Sequence, residues 1–326
     1  MSETILKYPK VSIVMAIYKP RIDWFIEQLK SLDNQTYNNI NLFILNDYPE
    51  NEEFYKQIIF ENIKKIEFSY QKNEYNMGPV ASFEKLTLLA DGEYIAYCDQ
   101  DDIWLDDKIE KLLDFTISNT ADLAFTDMYI INEDSKVIAD SITKVRPLHV
   151  MPELDDYFSY LLRHSIILGC TMLVKSKIAK KSLPIPNQSG SVYHDWWISV
   201  YAAAYGKVVF LNRPLIKYRI HDHNVTAFMK GINGKEDYIN RIVEFMNKMH
   251  AVRNRITSLK HQQLINDIYV FGETRKKYIT NHSIENFLGM IRSAKFNYKA
   301  VGFEILLPFL PEMLFIKIIK LLEHKK

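Results

Sequence analysis

A chain of 326 residues, 48% apolar and 25% charged, can bury one large core, or one core of about 220 to 230 residues with an appendage, and reads as soluble and globular. Its net charge of +1 hides an asymmetry, because the first 226 residues carry 24 basic against 31 acidic residues and the last 100 carry 17 against 9. An acidic body with a basic tail argues against a general nucleic-acid binder, and the tail suits either a solvated helical face or an anionic membrane surface.

Cys98 and Cys170 lie in apolar stretches without CxxC or Cys/His spacing, so neither a zinc site nor a disulfide framework is expected and a reducing cytoplasm fits. The opening MSETILKYPK has no apolar signal segment, and no uninterrupted apolar run is long enough to span a bilayer. The expectation is a cytoplasmic protein, neither exported nor integral.

In chain order, VSIVMAIY reads as a strand, and Ile22, Phe25, Ile26, Leu29 and Leu32 mark a helix after it. NLFILN is a strand, 52–60 a helix, KIEFSY a strand, 80–90 a helix and EYIAYC a strand. Such alternation predicts an α/β fold with a mostly parallel, Rossmann-like sheet and helices on both faces. Beyond Asp122 short strands are expected near 123–126 and 169–174, a helix from His194, and a strand pair KVVFL and LIKYRI. From Lys235 the pattern turns helical, and Pro308 and Pro311 break the last stretch into short pieces.

Sheets of this kind bind ligands outside the carboxyl ends of their strands. The residues there are Lys19-Pro20, Asn46-Asp47, 73–78, and Asp99, Gln100, Asp101 and Asp102, with no GxGxxG or GxxxxGK[ST]. Three carboxylates in four positions repel unless a cation joins them, and oxygen ligands suit Mg²⁺ or Mn²⁺; helix capping is the plainer use of such acids. Asp195, between His194 and Trp196-Trp197, is either an N-cap or a general base beside an aromatic wall, and the tryptophans are equally suited to a core. In YRIHDHN, alternation puts Arg219, His221 and His223 on one side, where a histidine can reach a metal and the arginine can meet phosphate oxygens.

CDQDDIWLDDKIEK, GPVASFEK after Asn76 and HDWWISVYAAAYGKVVFLNRPLIKYRIHDHN, in this order, resemble the family 2 glycosyltransferases of the GT-A fold, and most of all bacterial rhamnosyltransferase-type members. The resemblance covers about residues 10–227. It implies a catalytic domain over 1–230, with a nucleotide-binding half at about 10–102 and an acceptor half at about 103–230, followed by a helical region over 231–326. It further implies that Asp99 and Asp101 form a DxD element, with Asp101 the more direct metal ligand, that His221 is the late metal-binding histidine, and that Asp195 is the catalytic base. Ala16, Tyr18, Asn46, Asp47 and Asn76 fall to base and ribose contacts, with Gln100 and Arg219 also on the donor side. Gly169, Cys170, His194 and Trp196 fall to the sugar and acceptor. Where most relatives have an Asp-Asp-Gly-Ser-like turn, this chain has Asn46-Asp47-Tyr48-Pro49, which favours Asp47 for reading the base.

The implied reaction is inverting transfer from dTDP-rhamnose, or from a UDP-hexose, to a glycan or lipid-linked acceptor. A nucleotidyltransferase would want a glycine-rich phosphate loop, and a degenerate scaffolding subunit would be expected to lack Asp101, Asp195 or His221. In the tail, Phe303, Leu306, Leu307, Phe309, Leu310, Leu314, Phe315 and Ile316 are expected to supply an apolar face, used for peripheral membrane contact or for a homodimer.

Overall fold

The computed structural model describes residues 8–145, 154, 156–187, 190–221 and 232–324. The chain forms two compact units, one of Met1–Ile185 with Tyr193–His223 and one of Pro186–Val192 with Asn224–Lys326. That 186–192 belongs with the second unit has no signal in the sequence pattern.

The first unit starts with β1 (Val11–Ile17), almost wholly buried, as an unbroken apolar run requires in a sheet covered on both faces. Helix α1 (Ile22–Asp33) buries Phe25, Leu29 and Leu32 of the expected stripe, with Trp24 added to it and Ile22 and Ile26 only half-buried. There follow β2 (Ile40–Asn46), α2 (Glu52–Asn62), β3 (Glu67–Lys72), α3 (Gly78–Leu89) and β4 (Tyr94–Cys98). These strands are parallel in the order β3-β2-β1-β4. The chain therefore builds outward from β1 on one side and returns to its other side with β4. That reversal opens a crevice beyond the carboxyl ends of β1 and β4.

Two local devices fix this half. Asp33 Oδ1 accepts the backbone N–H groups of Lys64, Lys65 and Ile66 at 2.9, 2.7 and 3.2 Å, which pins the entry to β3. Gly92 packs against the start of β1 so closely that a Cβ there would lie 2.7 Å from the carbonyl oxygen of Lys10.

The second half of the sheet is mixed. It comprises β5 (Ile103–Trp104), α4 (Lys108–Ser118), β6 (Leu123–Ile131), β7 (Val137–Ala139), α5 (Ile142–Val145), α6 (Tyr157–Leu161), β8 (Met172–Lys175), α7 (Ser176–Ser182), α8 (His194–Tyr205) and β9 (Val208–Arg219). The order continues β4-β8-β6-β9-β5, with β8 antiparallel to β4 and β6 and β9 parallel to β6. Parallel pairing dominates the whole sheet, and α3, α4 and α7 pack against its strands.

The expected pair KVVFL and LIKYRI is instead one strand, β9. Its register against β6 jumps from Thr126–Leu211 to Asp127–Pro214, so Asn212 and Arg213 bulge out and Pro214 has no ladder hydrogen bond to lose. β6 pairs with β9 on both sides of Pro214.

The second unit contains α9 (Lys235–Arg255), α10 (Gln262–Thr280), α11 (Ile284–Ser293), α12 (Tyr298–Leu306) and α13 (Glu312–His324). Gly272 on α10 lets α9 come close, since a Cβ there would fall 2.0 Å from Met246 Sδ. The eight residues expected to form an outward apolar face divide. Leu307 and Phe315 are buried, and Phe303, Leu310 and Ile316 pack against that cluster, because α13 folds back on α9. Leu306, Phe309 and Leu314 remain exposed.

Glu304 is fully buried and meets the guanidinium of Arg275, whose Nε donates to its two oxygens at 3.0 and 2.9 Å, while the Tyr238 hydroxyl donates at 2.6 Å. Arg275→Met leaves that carboxylate without its cation, and the expected loss is about 3 kcal/mol of stability. Urea unfolding of the full chain checks this, and an unchanged midpoint would show the pair to be dispensable. Among the described residues no helix is long and apolar enough to cross a membrane.

Candidate active site

The crevice at the ends of β1 and β4 receives the segment Asp99-Gln100-Asp101-Asp102 directly after β4. Asp102 is fully buried; its Oδ1 accepts the Arg219 N–H at 3.0 Å and its Oδ2 has no hydrogen-bond partner among the described residues. Burial, and then the charges of Asp101 and Asp99, push its carboxyl well above the usual range. Asp99 is pushed up to about 7, first by desolvation and then by Asp101 and Asp195. Asp101 Oδ2 lies 2.9 Å from His221 Nε2.

Asp99, Asp102 and Cys170 bring one ligand-type atom each within 4.8 Å of one another. Burial raises the Cys170 thiol well above its ordinary pKa, as do Asp102 and Asp99, so it stays protonated and is a poor ligand. The donors that remain in this group are the carboxylates of Asp99 and Asp102; Asp101 is paired with His221 instead, so among the described residues the expected set Asp99, Asp101 and His221 is not gathered at one point. Crowded, desolvated carboxyls and an orphaned buried oxygen fit a hard divalent ion such as Mg²⁺ or Mn²⁺.

Arg219 departs from its expected place at the phosphates. It is fully buried, donating from Nε to the Asp101 carbonyl at 2.8 Å, from Nη1 to the Asn132 carbonyl at 3.1 Å and Ser135 Oγ at 2.9 Å, and from Nη2 to Glu27 at 2.6 Å. A guanidinium so enclosed cannot face a donor. It ties the acid loop, the turn 132–135 and α1 together, with the Trp24 ring 5.0 Å from that of His221 alongside. His223 lies outside the described residues.

Asp195 stands in the first turn of α8, two residues past the N-cap, which is Tyr193. Its Oδ1 accepts the N–H of Trp196 at 2.7 Å and its Oδ2 that of Gly169 at 3.3 Å. The carboxylate is half-buried and near enough to Asp99 to raise that group's pKa. Gly169 opens a single 3₁₀ turn, Gly169–Thr171, and a Cβ on it would meet His194 Nε2 at 2.9 Å.

The aromatic wall takes a different form from the one expected. Trp196 is 3% exposed and donates from Nε1 to the Leu161 carbonyl at 2.9 Å, which makes it core. His194 is buried against Phe83, with ring centroids 4.0 Å apart, and desolvation lowers its pKa. Both rings are buried and pack α8 onto its neighbours beside Asp195. Cys170 is likewise fully buried, under the acid loop.

On the nucleotide side, Tyr18 and Gln100 are tied by two hydrogen bonds, Tyr18 N–H to Gln100 Oε1 at 2.8 Å and Gln100 Nε2 to the Tyr18 carbonyl at 3.2 Å. Ala16, Tyr18 and Asn76 stay accessible at the rim. Asn46 and Asp47 do not. Asn46 is fully buried, accepting the Tyr48 N–H and donating to the Tyr70 hydroxyl. Asp47, 3% exposed, accepts from Asn73 Nδ2 and from the N–H groups of Met77 and Gly78, all at 2.8 Å. Both side chains shape the loops that border the cleft and are turned away from solvent there.

The defining profile described as "Glycosyl transferase family 2" matches residues 12–183. The chain belongs to that family. The transferase is 30% identical over 249 residues to an uncharacterized glycosyltransferase of Methanocaldococcus jannaschii, covering 76% of this chain and 83% of that one. It is 29% identical to the dTDP-rhamnosyl transferase RfbG of Shigella flexneri, covering 79% and 87%. Three longer Rickettsia glycosyltransferases are matched over only 25%, 19% and 22% of their own length. Among solved structures, the mannosyltransferase PcManGT of Pyrobaculum calidifontis, in complex with GDP-Man and Mn²⁺, superposes with a TM-score of 0.54 at 12% identity, covering 92% of this chain and 84% of that one. The α/β sheet is thus of the GT-A type, with a helical region after it.

In this transferase's first unit, Lys108 was not picked out from the sequence, and Lys19 and Tyr48 were noted there without a role. Lys19, in a left-handed conformation with φ 43°, holds its Nζ 4.4 Å from the centre of the Tyr48 ring, which meets Tyr18 edge to face at 5.8 Å. Lys108, the first residue of α4, is fully buried with Nζ 2.6 Å from the Cys170 carbonyl and 3.2 Å from the Trp104 ring centre. Desolvation lowers its pKa to about 8 while the neighbouring acids act against that. The lysine in LDDKIEK looks like any surface helix cation, and only its register on α4 buries it.

Proposed function

We propose that this family 2 glycosyltransferase is an inverting enzyme that moves L-rhamnose from dTDP-rhamnose to the hydroxyl of a cell-surface glycan or lipid-linked saccharide. The observation that carries the reading is the shared cleft of Asp195 and the acid loop, close enough for one carboxylate to shift another. In the reaction, Asp195 takes the proton of the acceptor hydroxyl. That oxygen attacks the anomeric carbon from the face opposite the nucleoside diphosphate, the bond from this carbon to the phosphate oxygen breaks with its electron pair leaving on the diphosphate, and one displacement inverts the centre.

Asp99 and Asp101, with His221 beside Asp101, would hold Mg²⁺ or Mn²⁺, whose chemistry is to neutralise charge on the leaving diphosphate. Support for this comes from the raised carboxyls of Asp99 and Asp102 and from the Mn²⁺ in the complex of PcManGT. The Gly169 N–H holds Asp195 toward the cleft, and the Tyr18–Tyr48 pair with Lys19 offers ring faces and a cation where a base and its phosphates would lie. The dTDP-rhamnose assignment is supported by the likeness to RfbG.

Thermal melting with dTDP, UDP or GDP, each with Mn²⁺, tests it. At 100 times its dissociation constant the cognate nucleotide adds about 2.7 kcal/mol of stability. The largest upward shift is expected with dTDP. A shift with UDP alone would move the donor to a UDP-hexose.

A further inference from the structure

Helix α11 of the second unit faces the wrong way for a helix that serves only to fill a core. It buries Met290 and Ser293, and Asn286 and Gly289 are half-buried with them. The large apolar residues are on its other side: Ile284 is 80% exposed, Phe287 38%, Leu288 47% and Ile291 50%. Their spacing of three, four and seven residues makes one continuous stripe along the helix. Single exposed leucines need no explanation, but four large apolar side chains on one face, opposite the side that buries Met290 and Ser293, do.

The charges near the stripe are mostly basic. Lys276 and Lys277 close α10, Arg292 lies in the last turn of α11, and Lys295 and Lys299 follow; all five are exposed, with Tyr298 71% exposed among them. The exposed acid among 276–300 is Glu285. An amphipathic helix with an exposed apolar face, mostly basic neighbours and an exposed tyrosine is the arrangement that lies in the headgroup layer of an anionic bilayer, apolar side down. A second copy is the poorer fit, since a two-fold contact through this face would set like-charged rims against each other.

We infer that the outward face of α11, Ile284, Phe287, Leu288 and Ile291, with its basic rim, is a docking surface for an anionic lipid bilayer. This inference stands on the second unit alone and does not depend on the donor sugar or on Asp195.

The test is co-sedimentation of the full chain with vesicles of phosphatidylcholine alone and of phosphatidylcholine mixed with phosphatidylglycerol. The expected result is binding to the mixed vesicles that weakens with salt, falls at least about tenfold in F287S/I291S and falls similarly in R292E/K295E. Circular dichroism melts of both variants check that the helices remain folded, as solvent-facing substitutions allow. No binding by the unaltered chain, or undiminished binding by F287S/I291S, overturns the inference. So does a concentration-dependent dimer, seen by light scattering, that F287S/I291S abolishes while vesicle binding is absent.

Discussion

Asp195→Asn is expected to lower turnover by roughly 10² to 10⁴ while leaving nucleotide affinity nearly unchanged. The amide keeps the shape of the side chain, and its one oxygen can still accept the Trp196 N–H, whereas the NH2 that replaces Oδ2 gives up only the longer contact, 3.3 Å from the Gly169 N–H. What is lost is a proton acceptor. The measurement is single-turnover transfer alongside nucleotide titration of the same variant. Near-normal transfer would assign the base elsewhere, whereas parallel loss of nucleotide binding would show that Asp195 supports the acid loop instead of acting on the acceptor.

Chelation should have a still larger effect. In excess EDTA, transfer is expected to vanish and the nucleotide-dependent rise in melting temperature to go with it, and Mg²⁺ or Mn²⁺ should restore both. Asp99, Asp101, Asp102 and Asp195 crowd one crevice, and a diphosphate brought there would add to the repulsion unless a cation balances it. Asp101→Ala should not be rescued by added metal. The substitution removes the carboxylate that meets His221 but keeps the backbone carbonyl to which Arg219 donates, so the loop retains its strut. Full activity in EDTA, or in Asp101→Ala, would remove the metal from the mechanism.

The first half of the fold was legible in the sequence because each element there carries its own period. The stripe of α1 and the unbroken apolar run of β1 are local patterns, and a parallel sheet follows from their alternation. The continuity of β9 was not legible, since it depends on β6 tolerating a bulge opposite Pro214, which is a property of the neighbouring strand. In the site, the acid cluster and Asp195 stood out as charges at strand and helix ends. Arg219, Asn46 and Asp47 were read as ligand contacts for the same reason, and the structure spends them on the protein itself. A polar side chain at the mouth of a cleft has the same sequence signature whether it faces the cleft or the loop beneath, and only burial separates the two. The basic tail showed its charge but not which helix would turn its apolar side outward, because α11 is as amphipathic as any core helix until its inner neighbours are known.

Arg219 has a consequence for anyone who would exchange parts of this enzyme with another. One buried side chain draws together α1 through Glu27, the turn at 132–135 and the acid loop through the Asp101 carbonyl, three segments far apart in the chain. They form a single transplantable block. A swap that imports a foreign 132–135 turn but leaves the native arginine would strand its hydrogen-bond donors in the interior and shift Asp101 from below, so these segments have to travel as a set.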